Sequence, residues 1–88
     1  MTERTRGLHD TLVDLHEQLA REGALDPALR DELRAALEEI RARVDAGSEA
    51  DRPLADRVSG LMLRFEAAHP ALADAVGAVV RSLARLGI

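Results

Sequence analysis

The chain has no cysteine, lysine, asparagine, tryptophan or tyrosine, and Phe65 is its only phenylalanine. Without cysteine there is no disulfide, no thiolate zinc site and no thiol nucleophile, which suits a reducing compartment. Without aromatic platforms there is nothing to stack bases on, so single-stranded nucleic acid is a poor partner. All twelve basic residues are arginine, set against sixteen acids for a formal net charge of −4. That balance does not build a broad phosphate-binding surface, so we expect no nucleic acid partner. The longest apolar run is AVGAVV, residues 75–80, against the about 20 residues that a membrane helix needs. No apolar stretch follows Arg4 and Arg6, so the start does not read as a signal peptide. These absences predict a soluble, cytoplasmic protein with no membrane span.

What is present is a helical pattern. Apolar residues recur at steps of three and four, and no stretch alternates with period two. The first helix spans about 5–22 and carries Leu8, Leu12, Leu15 and Leu19; Gly23 follows as a candidate left-handed C-terminal residue. Asp26-Pro27 opens the second, with Asp26 as the cap. Its stripe is Leu29, Leu33, Leu37, Ile40 and Val44, and it stops at Gly47. The polar linker SEADR covers 48–52. Pro53 starts the third helix, with Leu54, Val58, Leu61 and Phe65 inward and Met62 beside them. His69-Pro70 ends it, since a residue before proline avoids the α region. The fourth carries Leu72, Val76, Val79, Val80, Leu83 and Leu86, and Gly87-Ile88 can close it. It is the most apolar of the four, which marks it as the central helix. Gly60 and Gly77 fall inside helices and off the apolar stripes.

The reading is an all-α fold in one domain, residues 1–88: a helical hairpin at 5–47, the linker 48–52, and a second hairpin at 53–88. The connections are short, so sequence neighbours should be antiparallel. A chain of 88 residues has a thin stability margin, and without disulfides or an evident metal, oligomerisation is the remaining support. Two such hairpins resemble a bundle that dimerisation could complete. Charge is uneven: residues 1–47 hold eleven acids and seven arginines, and residues 48–88 hold five of each. Arg34, Glu38, Arg41 and Asp45 step by four, three and four along the second helix, which reads as a solvated ladder.

The segment LHDTLVDLHEQL, residues 8–19, repeats a Leu-His pair at a seven-residue interval. In heptad terms Leu8 and Leu15 are d, Leu12 and Leu19 are a, and His9 and His16 fall at e. Seven residues span about 10.5 Å along a helix, whereas zinc holds imidazole nitrogens at roughly 2.0–2.1 Å. The two histidines of one chain therefore cannot share an ion. The four leucines form a seam for a partner helix, either within the chain or on a second copy. His9 and His16 flank it, and their protonation below about pH 6.5 would loosen a contact made there.

Glu66-Ala67-Ala68-His69 is a Glu-x-x-His, the element from which ferritin-like metal bundles are built. Two copies in a dimer, with Glu22, Glu38 or Glu39 as an added carboxylate, form the metal-binding alternative. Against it, His69 precedes Pro70 and should leave the helix. No nucleophile turn surrounds Ser48, Ser59 or Ser82, and no glycine-rich loop opens a helix. We therefore expect no catalytic residue, no cofactor and no enzymatic activity.

The C-terminal stretch RFEAAHPALADAVGAVVRSLARLGI resembles the end of a family of short bacterial proteins of unknown function (domain of unknown function 4404). Those proteins carry an FEASHP-like segment, an apolar helix and an LARMGI-like end. Phe65, Glu66, Ala67, His69, Pro70 and Leu83 through Ile88 match in kind, with Leu86 where Met is usual. The Leu-His opening is also similar to that family's. The resemblance implies a small cytoplasmic helical protein and carries no activity with it. Together the readings predict an interaction or oligomerisation protein, a homodimer with an unidentified protein partner.

Overall fold

Each proline stands in the first turn of a helix, where a missing N–H costs no hydrogen bond. The computed structural model describes residues 3–45 and 52–85. Its helices are α1 (Glu3–Arg21), α2 (Pro27–Asp45), α3 (Arg52–Phe65) and α4 (Pro70–Arg85). No strand occurs among the described residues. Gly47, the linker at 48–51 with Ser48, and the Leu86-Gly87-Ile88 end lie outside them.

Asp26 caps α2 as its sequence context predicts. Its Oδ1 accepts the Ala28 N–H at 2.8 Å, and its carbonyl accepts the Arg30 N–H at 2.9 Å. The end of α1 is closed differently from the expectation. Gly23 does not enter the left-handed region. Instead Glu22 N–H donates to the Leu19 carbonyl at 3.3 Å, a tightened last turn. Arg30, from the first turn of α2, reaches back with Nη1 to the Leu19 carbonyl at 3.1 Å and Nη2 to the Glu22 carbonyl. A guanidinium thus takes two of the carbonyls that a helix end leaves without partners, at the negative end of the dipole. Arg30→Ala should cost about 1–2 kcal/mol and lower Tm by about 4–8 °C per kcal/mol. Arg30→Lys should recover only part of that, because an ammonium lacks the fork that spans two carbonyls. Thermal unfolding followed by circular dichroism measures both.

The side-chain contacts give the direction of each helix. Thr11 meets Ser82 and Glu22 meets His69, so α1 and α4 are antiparallel. Glu39 meets Arg57 and Glu32 meets Arg64, so α2 and α3 are antiparallel as well. The helices follow one another around a ring, α1–α2–α3–α4, and α4 returns to α1. Among the described residues the Cα atoms of the diagonal pairs stay more than 8 Å apart. The molecule measures 35 × 22 × 18 Å, and its cross-section is that of four helices at the usual 8–10 Å spacing.

The core is filled from all four helices. Leu8, Leu12, Leu15 and Leu19 are at most 6% exposed within a single chain, so the α1 seam closes internally and α4 is its nearest partner helix. Leu33, Ala36, Leu37 and Ile40 come from α2, and Leu54, Val58, Leu61 and Phe65 from α3. Leu25, in the α1–α2 loop, is also buried. On α4 the buried set is wide: Leu72, Ala73, Val76, Gly77, Val79, Ser82 and Leu83. In a ring of four no helix is central, but α4, packed between α1 and α3, has the widest buried face. The Ser82 hydroxyl accepts from Thr11 Oγ1 at 3.4 Å on the α1 side. On the α3 side, a Cβ at Gly77 would come within 3.2 Å of Met62 Sδ. Gly77 therefore has a packing role that its place off the apolar stripe did not reveal.

Candidate functional site

Two places gather polar side chains. The first is the corner between α3 and α4. The His69 N–H donates to the Phe65 carbonyl at 2.7 Å, and the His69 carbonyl accepts the Ala73 N–H at 2.9 Å. One residue thus ends one helix and begins the next. Its ring stands edge-on to Phe65, 6.3 Å between centroids at 75°, and Nδ1 lies 3.0 Å from Glu22 Oε2. Both side chains of the pair are about four-fifths buried. Gln18 Nε2 donates to the other oxygen of Glu22 at 3.4 Å. The corner therefore ties the C-terminal end of α1 to the α3–α4 turn.

This arrangement uses Glu22 and His69 but not the Glu-x-x-His pair. Glu66 is exposed at the mouth of a groove between α3 and α4, beside Met62, Asp74 and Arg81. α3 ends at Phe65, so Glu66 and His69 both lie in the turn that follows it, where His69 meets Glu22 and Glu66 faces solvent. Glu39 is engaged by Arg43 and Arg57. Among the described residues no three His, Asp or Glu side chains converge as a cation would need. Nor does the corner approach a hydroxyl nucleophile along α4: Ser82 lies thirteen residues from His69, roughly 20 Å along the axis. His9 and His16 are exposed on α1, each next in sequence to a buried leucine, Leu8 and Leu15.

The second place is a groove of about 350 Å³ between α2 and α3. Ala35, Gly60 and Leu61 supply its apolar part, and Glu32, Arg57 and Arg64 its rim. Arg64 Nη1 donates to Glu32 at 2.7 Å and Arg57 to Glu39. These pairs are about half exposed, so each is worth about 0–1 kcal/mol. They bridge α2 to α3 on either side of the groove. Leu63, one turn beyond Gly60, is 63% exposed. The predicted ladder on the outer face of α2 is solvated, with Arg41 and Asp45 3.9 Å apart.

Sequence reasoning missed this groove, although a signal was there. Glu32 and Glu39 are seven residues apart on one helix, and Arg57 and Arg64 are seven apart on the next. In an antiparallel hairpin those two intervals can meet as Glu39–Arg57 and Glu32–Arg64, as they do here. Gly60, which had no packing explanation, opens the space between the two arginines.

A family model described as Domain of unknown function (DUF4404) matches residues 8–88. No curated protein and no solved structure matches the chain. Among the described residues no helix is long and apolar enough to cross a membrane.

Proposed function

From the premise that the chain belongs to the family described as Domain of unknown function (DUF4404), we propose that it acts as a helical interaction module that self-associates. It is not an enzyme and needs no cofactor. The observation that carries this reading is the α2–α3 face, where an apolar groove with internally paired rim charges stands beside a protruding leucine. Contiguous exposed apolar patches rimmed by polar residues mark protein-partner sites. The remaining polar chemistry supports a structural role. Ser82, the one buried polar residue among the described residues, is bonded to Thr11. Among the described residues no buried side-chain nitrogen or oxygen lacks a partner. Loops as short as 22–26 and 66–69 also leave little wall for a substrate cleft. A cytoplasmic setting fits the cysteine-free composition.

Light scattering coupled to size exclusion tests the reading. The expected species has twice the 9.5 kDa chain mass. Detection should use refractive index or peptide absorbance, because the chain has neither Trp nor Tyr. A single-chain mass at every loading concentration would overturn self-association. Stoichiometric iron, manganese or zinc in the purified protein would instead favour the metal-bundle alternative.

A further inference from the structure

We propose that a second copy of this chain docks on the α2–α3 face, with Leu63 of each copy seated in the gap over Gly60 of the other. This rests on the reading of the chain as a self-associating module and names the surface that does it.

Two large apolar side chains are exposed among the described residues, Leu63 at 63% and Val13 at 42%. Leu63 follows Gly60 by one turn, and residues three apart are neighbours on a helix surface. At Gly60 an added Cβ would meet nothing within 4 Å. The opening beside it is the groove of about 350 Å³ that Ala35 and Leu61 also line. A protruding leucine and an empty position thus stand side by side on one face.

That adjacency selects the occupant. In a two-fold interface, residue i of one copy touches residue j of the other, and j touches i. A dyad passing between Gly60 and Leu63 puts each leucine over the other copy's glycine, making the same contact twice. A partner of different sequence would have no need for the knob to lie beside the hole.

Charge agrees with this choice. Glu32 and Glu39 are paired with Arg64 and Arg57 within the chain, so these four charges are already balanced when a second copy arrives. Val13 is the weaker candidate: exposed acids, Asp10 and Glu17, lie one turn to either side of it, whereas Leu63 has Gly60 on one side and the single acid Glu66 on the other. Area is also sufficient. A standard interface removes about 800 Å² from each partner, roughly one seventh of the 5385 Å² surface. One lateral face of a four-sided bundle is of that order.

The absence of cysteine makes a direct test simple. Gly60→Cys and Leu63→Cys chains, mixed and mildly oxidised, should give a mixed disulfide faster than either chain cross-links to itself. Leu63→Asp and Gly60→Leu should each stay helical by circular dichroism, since both positions are exposed, and each should weaken the dimer at least about 100-fold. Gly60→Ala separates fold from interface. In the Leu63→Asp background it should raise Tm, because alanine is the better helix former; in the wild-type background it should weaken association by about tenfold. A dimer that survives Leu63→Asp and Gly60→Leu, with no mixed cross-link, would overturn this surface and leave self-association standing. A wild type that is monomeric throughout would overturn both.

Discussion

Leu12→Asp is expected to unfold the chain rather than to separate two folded copies. Leu12 is 6% exposed, and its neighbours on the α1 stripe, Leu8, Leu15 and Leu19, are at most 2% exposed. All four are covered within one chain, so an aspartate there has no route to water that leaves the bundle closed. Burying a carboxylate without a partner costs several kcal/mol. A chain of 88 residues has a total stability of only about 4–13 kcal/mol at the usual 0.05–0.15 kcal/mol per residue. The α1–α4 packing that the substitution breaks also covers α4, the helix with the widest buried face. The expected readout is loss of the helical circular dichroism signal at 25 °C, or a urea midpoint near zero. A helical, monomeric Leu12→Asp protein would place the seam at the surface between two chains and contradict the internal packing. The contrast with Leu63→Asp is the useful one. The same chemical change at 63% exposure should leave the fold intact.

Phe65→Ala should be the most damaging truncation at the α3–α4 corner. The ring is fully buried, and it stands edge-on to His69. Removing a buried phenylalanine side chain costs about 3–5 kcal/mol, made up of lost transfer energy and of the cavity left behind. That is a large part of the stability of a domain this size. The change also removes the surface against which His69 is packed, and with it the support for the His69–Glu22 contact that ties α1 to the corner. Chemical denaturation followed at the helical band should show a lower midpoint with an unchanged slope. Phe65→Leu keeps an apolar side chain in place and should cost roughly 1–2 kcal/mol. A loss below about 1 kcal/mol in Phe65→Ala would mean that the corner does not depend on the ring.

One part of the segment that carries the family resemblance, FEAAHP at 65–70, lies at this corner. Phe65 fills the core, His69 ends α3 and begins α4, and Pro70 takes the first position of α4. Glu66, between them, is exposed and outside the His69–Glu22 contact. The Glu-x-x-His spacing is therefore explained by a helix boundary, and a ligand set is not needed to account for it. The three residues that the structure uses serve the turn between two helices.

The helices and the starts of α2, α3 and α4 were readable from the order of residues alone. Apolar steps of three and four set the inward stripes, Asp26 capped α2, and the prolines marked starts, because each of these signals acts within a turn or two of the backbone. The low polarity of α4 likewise matches its wide buried face. Other features depended on which helices became neighbours. The α1 leucines look the same in sequence whether α4 or a second chain covers them, and only the closed ring of four helices assigned them to the interior. Gly23 follows α1 where a left-handed stop is expected, but Arg30, eight residues beyond Glu22, closes α1 from another helix. Gly77 gained its reason from Met62 on α3, and the Glu22–His69 contact joins residues forty-seven apart. Periodicity records which side of a helix turns inward, since that follows from local geometry. What that side meets follows from how the helices are arranged in space, and this the chain decides only when it folds.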